Sequence, residues 1–313
     1  MKYLAKKLAA LVATLLVVSL LAFLAFQVIP GDPTTKILGT EATDEAVEAL
    51  RQELGLNENV FVRYFRWLGN FLTGDFGMNY SRQMSVSQLL GDGLVVTFAL
   101  TVLSFLITVL VAIPLGILGG SARSQLLDGA FAVVDQAVMS IPPFFMATLL
   151  TWVFGILLGL FQPGRYTSYA DSIPGFVACL IMPALSIAIP RIAMTVKMLR
   201  SAIREEMERD YVRTARSRGN NRRAILARHV LKNAMVTTVT FLAVSAAEIM
   251  TGSIIIEQVF GLPGVGQLLL EGISNREFLT VQAIVVILAA WVVVVNFLAD
   301  ILHQLLDPRV RYE

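Results

Sequence analysis

Cysteine and histidine are nearly missing from this sequence: of 313 residues, one is cysteine, Cys179, and two are histidine, His229 and His303. A single thiol excludes an intrachain disulfide and a cysteine-clustered metal site, and two imidazoles are too few for a histidine-based one. Charge is scarce as well. Only 15% of the residues are charged and 56% are hydrophobic, against about 25% and about 45–50% in soluble domains, and the mean hydropathy is +0.70. A net charge of +2 offers no reason to expect a nucleic-acid partner. Catalytic signatures are lacking too: there is no Gly-x-Ser-x-Gly, no His-Glu-x-x-His and no carboxylate pair at a suggestive spacing. The nearest approach to a phosphate loop is Gly261-Leu-Pro-Gly-Val-Gly266, and it places Gln267 and Leu268 where lysine and a hydroxyl residue would be needed. Gly261, Pro263, Gly264 and Gly266 therefore read as a turn on the external side, and the chain reads as no enzyme.

What the chain has in excess is uncharged length. Six stretches reach the roughly 20 apolar residues that cross a bilayer: 8–29, 94–119, 132–161, 176–198, 236–256 and 279–302. The first exceeds the roughly 7–15-residue core of a secretory signal, lacks a small-residue cleavage site, and is stopped by Pro30, Gly31, Asp32 and Pro33. The expected architecture is an all-α polytopic membrane protein. Residues 1–29 form the N-terminus and first helix, 30–93 an external helical loop, 94–302 five further helices with a cytoplasmic loop over 199–232, and 303–313 a tail. Sorted by side, seventeen Lys and Arg fall on the face of the two termini and seven on the other, with Arg191 inside the fourth span. The positive-inside rule then places both termini in the cytoplasm, in a multi-pass protein of the cell membrane.

The external loop alone has soluble character. Thr43, Asp44 and Glu45 suit a helix start, with Val47, Leu50 and Leu54 on one face and Gly55 as its end. Phe61, Phe65, Leu68 and Leu72 recur at helical spacing until Gly74-Asp-Phe-Gly77. This loop reads as a cap over the membrane part or as a docking surface for an external partner.

Ionisable residues inside spans are costly unless paired, wet or functional. Asp135 and Asp300 sit near cytoplasmic ends, within reach of solvent or a helix-end partner. Glu248 and Arg191 are deeper, about 18 Å and about 10 Å from the inner ends of their spans at roughly 1.5 Å per residue. They form either one structural ion pair or part of a wet pathway that meets the amine and carboxylate of a zwitterionic cargo. Gly155 and Gly159 make a Gly-x-x-x-Gly pair that permits close helix approach. Pro142, Pro143, Pro183 and Pro190 interrupt helical hydrogen bonds and imply curved spans.

The strongest signal is the basic loop, where eleven of the 25 Lys and Arg lie between Lys197 and Lys232. Its pattern is helix, glycine stop at Gly219, helix. Tyr211, Val212 and Ala215 give the first helix an apolar, small-residue strip suited to a partner's groove.

Several stretches together resemble one family. They are Leu50-Arg-Gln-Glu-Leu-Gly-Leu-Asn57, Gly74-Asp-Phe-Gly77, Asp210-Tyr-Val-Arg-Thr-Ala-Arg-Ser-Arg-Gly219, His229-Val-Leu-Lys-Asn-Ala234, Glu257-Gln-Val-Phe-Gly-Leu-Pro-Gly-Val-Gly266 and Asp307-Pro-Arg-Val-Arg311. End to end, the chain resembles the B-type membrane subunit of dipeptide, oligopeptide and nickel permeases, within ABC importers that use an external binding protein. The resemblance implies a type I importer fold with a cytoplasmic coupling helix. Residues 213–232 match the family's EAA loop. Ala215 and Gly219 occupy its second alanine and its glycine, and Leu231 its leucine, whereas Arg213, Thr214, His229 and Lys232 depart from it. Asp210, Tyr211, Ala215, Gly219 and Leu231 are thus the expected ATPase-coupling residues. The implied partners are a second permease in a heterodimer, two ATPase subunits that hold ATP and magnesium, and the external binding protein. No cofactor is expected on this chain. The implied cargo is a di- or oligopeptide, with nickel chelates or another small solute as alternatives. A proton-coupled secondary transporter is the reading from another class, using Glu248, Asp135 or Asp300 as proton sites, although no inverted repeat supports it.

Overall fold

The computed structural model describes residues 2–28, 43–53, 57–122, 124–162 and 164–306. The stop at Pro30 to Pro33, the helix end at Gly55, Arg123 and the Asp307 to Arg311 motif lie outside these. Among the described residues five helices are long and apolar enough to cross a membrane, and a bent pair makes a sixth if counted as one span. Four of the five contain the expected spans whole: α4 (Val86–Ser121), α7 (Ile173–Glu208), α10 (Leu231–Phe260) and α12 (Phe278–Leu306). The fifth, α1 (Lys2–Val28), carries the apolar window Lys6–Phe26. By contacts the chain divides into two units, Met1–Leu94 with Leu268–Val293 and Val95–Gln267 with Val294–Glu313.

In the first unit, α2 (Asp44–Glu53) begins where the Thr43 hydroxyl accepts from the Ala46 N–H. Helix α3 (Val60–Leu72) begins at Asn59, whose side chain accepts from Phe61 N–H at 2.9 Å. Both starts follow from short polar side chains satisfying donors that the first helical turn leaves free. The α3 face that packs is Tyr64, Trp67 and Phe71, with Phe23 of α1 and Phe76 completing a run of aromatic contacts. A small hairpin pairs β1 (Met78–Asn79) with β2 (Met84–Ser85). It is tied to the turn between α11 (Val265–Ser274) and α12. Asn79 donates to Thr280 at 3.0 Å, Ser81 N–H donates to the buried Glu277 at 2.9 Å, and Arg82 pairs with Glu271.

In the second unit the third expected span is broken. Helix α5 (Gln125–Met139) and α6 (Pro143–Leu150, continuing as a π-helical turn over Thr151–Leu157) meet at 96°. The cause is the tandem Pro142-Pro143. A residue preceding proline is pushed out of the α region, and Pro142 sits extended at ψ 144°. The lone prolines Pro183 and Pro190, by contrast, stay inside the continuous α7. The Gly155 and Gly159 packing reading is also corrected. Gly159 lies beyond the helical turn at φ +61°, with nothing within 4 Å of where its Cβ would be. A small-residue seam exists instead on α4, at Gly116-Ile-Leu-Gly-Gly120. A Cβ on Gly116, Gly119 or Gly120 would come within 2.8, 2.7 and 3.0 Å of Leu199, Arg200 and Ile203 of α7. A core of Leu100, Leu180, Ala184, Ile187, Ile249 and Ile256 joins α4, α7 and α10. Fully burying each such aliphatic side chain contributes about 1.5–3 kcal/mol.

Candidate functional site: the coupling segment and two intramembrane ion pairs

At 36 residues and about 1.5 Å per residue, α7 is about 54 Å long. That exceeds the roughly 30 Å hydrocarbon core, so the helix carries its charged end well out of the membrane. Extended backbone at Arg209 (ψ 150°) then starts α8 (Asp210–Ser217). The sequence pattern of one helix up to Gly219 is therefore two helices, and no glycine or proline marks the joint. Gly219 does end α8, at φ +79°, where its N–H donates to Arg216 O at 3.0 Å and Asn220 Nδ2 donates to Ala215 O at 3.1 Å. The left-handed backbone there is what a helix C-terminus asks of glycine. The chain resumes as α9 (Arg222–Ile225), which runs through a π-helical turn (Leu226–Val230) into α10. Asn221 caps α9 by accepting from Ala224 N–H at 2.8 Å.

The strip expected to meet a partner faces the chain itself. Val212 and Ala215 are buried with Leu199, Ile203, Ile225, Val230 and Ala234, and Leu231 packs half-buried against them. Apolar residues at i and i+3 on a charged helix seek the nearest apolar surface, and here the ends of α7 and α10 supply it. The outward side of α8 is polar: Asp210, Arg213, Thr214, Arg216 and Ser217 are exposed. Tyr211 is half-buried and donates its hydroxyl to Glu206. Asn233 Nδ2 donates to both, at 3.2 Å to Tyr211 and 3.3 Å to Glu206. This triangle pins α8 to the end of α7 and the start of α10. Burial, and then the Glu206 carboxylate, hold the Tyr211 phenol above its usual pKa, so it remains a donor. Arg222 reaches across to Ser121 O at the end of α4, at 3.1 Å.

One turn up α7 from Arg204 lies a charge cluster that the sequence reading only half located. Asp135, expected to find solvent or a helix-end partner, is buried against Arg200 at 2.7 Å, each side chain 6% exposed. Arg200 also binds the Asp128 carboxylate and donates to Asp128 O at 3.2 Å, with its guanidinium 4.7 Å from the Phe131 ring. Arg204 binds Asp128 through a second nitrogen pair, at 2.8 Å. The cluster clamps α5, the first arm of the bent pair, onto the segment of α7 that leads to α8. Arg200 escaped attention because it lies just past the apolar run ending at Met198.

The second pair joins Arg191 of α7 to Glu248 of α10, with side chains 22% and 54% exposed. Glu248 belongs to an outward stripe of α10 with Val244, Thr251, Gly252 and Ile255, all exposed. At their spacings of three and four residues these line one side of a helix. The outward side of α4 differs: Phe98, Val102, Leu106 and Leu110 are exposed and wholly apolar.

The glycine turn is a built corner. Gly261 closes α10 in left-handed backbone at φ +64°. The fully buried Glu257 accepts from Thr97 Oγ1 at 2.8 Å, Ser253 Oγ at 3.0 Å and Gly266 N–H at 2.7 Å, while Val265 N–H donates to Thr97 at 2.9 Å. A Cβ on Gly264 would lie 2.3 Å from Glu257, and one on Gly266 2.5 Å from the Ile254 backbone. Both positions therefore require glycine for space, with Pro263 between the turn's ends. The motif Glu257 to Gly266 does not by itself mark Glu257 as a buried anchor, because its partner Thr97 lies 160 residues away.

Two family descriptions match this chain. The binding-protein-dependent transport system inner membrane component covers residues 112–312, and the N-terminal domain of the same membrane components covers residues 1–101. A Brucella abortus (strain 2308) protein named as a peptide transport system permease is 36% identical over 98% of each chain. One of Sinorhizobium fredii named as a peptide ABC transporter permease is 33% identical over 99% of each. The glutathione transport system permease protein GsiC of Escherichia coli (strain K12) is 29% identical over the full length of both. With membrane-length helices and full-length relatives of one kind, the chain belongs to the binding-protein-dependent transport system inner membrane components, the permease subunits of ABC importers.

Proposed function

We propose that this chain is one of two permease subunits of an ATP-driven peptide importer, with both termini in the cytoplasm. Two ATPase subunits hold ATP and magnesium, and an external binding protein delivers the cargo. The observation that carries the reading is the full-length similarity to two chains named for peptide transport and one named for transport of glutathione, itself a tripeptide. The outward polar side of α8 is the surface offered to an ATPase. Asp210, Tyr211, Ala215, Gly219 and Leu231 divide between that contact and the inward packing that keeps α8 in register. ATP binding and hydrolysis would bias α8 between two positions, and a bias is all that is needed to shift inward- and outward-facing populations. The Tyr211–Glu206–Asn233 triangle passes that motion to α7 and α10, and the Arg200 cluster passes it to α5.

The stripe around Glu248 is the proposed wall of the route. A carboxylate facing lipid at mid-span is costly, so this side of α10 is supported as facing water or the second permease. Arg191 and Glu248 offer a cation and an anion to the two ends of a zwitterionic peptide. Reconstitution with the partner subunits tests the whole reading. Vanadate-sensitive uptake of labelled di- and tripeptides, with ATPases co-purifying, is the expected result. Uptake abolished by a protonophore and indifferent to vanadate would replace it with a proton-coupled carrier.

A further inference from the structure

The loop between the first two spans is expected to be a cap over the membrane part or a docking surface, and one of its helices, α3, packs along the first span. Both α1 and α3 lie in the first unit. The apolar window of α1, Lys6–Phe26, is 21 residues long, about 30 Å at 1.5 Å per residue, which matches the hydrocarbon thickness. Leu16 is its midpoint. Tyr64 of α3 donates to the Leu16 carbonyl at 3.3 Å and shares a hydrogen bond of 2.8 Å with the buried Ser19 hydroxyl. Ser19 is seven residues, about 10 Å, from the Phe26 end. The Phe23 ring lies 5.6 Å from Tyr64 and 5.7 Å from Trp67. The whole α1 to α3 contact is therefore at hydrocarbon depth, whichever way α1 points.

At about 100° per residue, α3 has three sides. Tyr64, Trp67 and Phe71 face α1 and the neighbouring aromatics. Arg63, Arg66 and Asn70 lie about 100° round on one flank of that side, with Arg66 paired to Glu58 at 2.7 Å. On the other flank, roughly opposite the arginines, run Phe61, Phe65, Leu68 and Leu72, where Phe61, Phe65 and Leu72 are 65%, 66% and 77% exposed. No charge interrupts that side, and α1 likewise exposes the apolar Leu16, Val17, Leu21 and Leu24. Such an aliphatic and aromatic side, with Tyr and Trp adjacent and arginines on the far side, is the pattern of an amphipathic helix half-embedded in a leaflet.

We propose that α3 is embedded in the leaflet beside α1, with Phe61, Phe65 and Leu72 in contact with acyl chains and Arg63 and Arg66 on the side turned away from them. The external loop is thereby fastened to lipid, and the first span gains a second membrane contact through Tyr64. The test uses the assembled transporter in phosphatidylcholine and phosphatidylglycerol vesicles, in a cysteine-free background with Cys179→Ala. Spin labels are attached at Phe65→Cys, Leu72→Cys and Asn70→Cys in turn. Collision with oxygen, which partitions into hydrocarbon, is compared with collision with a water-soluble nickel chelate. At 65 and 72 oxygen is expected to dominate severalfold, and at 70 the chelate. Dominance of the chelate at 65 and 72 would put this side in water and overturn the proposal. Low accessibility to both reagents at 65 and 72 would overturn it equally, by showing a protein partner on that side.

Discussion

Two arginines on α7, nine residues apart, each meet an acid from another helix, and they are built differently. Arg200 is buried, is held by two aspartates and a backbone carbonyl, and has an aromatic ring beside it. Arg191 meets the acid Glu248, whose side chain is more than half exposed. The number of acceptors and the degree of desolvation separate a clamp from a contact that can open. Removing one member of a buried pair leaves a charge with neither water nor counter-ion, whereas an exposed pair exchanges its partner for solvent at small cost.

The comparison breaks most readily at Arg200. Arg200→Gln strands Asp135 and is expected to destabilise the subunit by about 3–5 kcal/mol. The readout is loss of folded protein from the membrane and a lowered thermal unfolding midpoint of whatever remains. Combining it with Asp135→Leu should recover folded protein without recovering full transport, because Asp128 of α5 would still bind Arg204 of α7 but the buried half of the clamp would be gone. Next in size is Gly119→Val. Its side chain would meet the Arg200 stem where a Cβ alone comes within 2.7 Å, an overpacking cost of about 1–3 kcal/mol. A stable, active Gly119→Val subunit would show that the clamp does not depend on the α4 seam.

Tyr211→Phe tests the coupling triangle. It removes hydrogen bonds worth about 0.5–1.5 kcal/mol, so folding should survive while peptide uptake per ATP hydrolysed falls. Unchanged coupling in that variant would assign Tyr211 to packing alone. The smallest stability effect is expected at the exposed pair. Glu248→Gln should shift unfolding by no more than about 1 kcal/mol, yet alter uptake, and differently for peptides with a blocked amine than for free ones. If its stability loss matched that of Arg200→Gln, the distinction between the two pairs would collapse.

The glycines carry the same lesson. A Gly-x-x-x-Gly pattern is present twice, at Gly155 to Gly159 and at Gly116 to Gly120, and the pattern by itself does not rank them. The first falls where the chain has already left its helix, and the second lies where α7 presses closest. Proline was more legible: a tandem pair breaks a span and single ones do not, although the 96° bend depends on both arms finding surfaces to pack on. For α3 the periodicity of Phe61, Phe65, Leu68 and Leu72 revealed the helix, and Phe61, Phe65 and Leu72 on that side are exposed. The aromatic face at Tyr64, Trp67 and Phe71 was claimed by α1.

By itself the sequence determined the class of fold, the place of five apolar helices of membrane length, the glycine stop at Gly219 and the turn from Gly261 to Gly266. It also marked the basic segment proposed to meet an ATPase. All of these rest on local quantities: transfer free energy summed along a run, backbone freedom at one residue, and charge counted on either side of a span. Only the tertiary structure decided that Asp135 belongs to Arg200, that Glu257 anchors a corner through Thr97, that Ala215 faces inward, and that Phe65 faces outward. Each of these depends on how one helix is rotated against another many residues away, and a rotation of half a turn changes the partner while leaving the hydropathy of both helices the same.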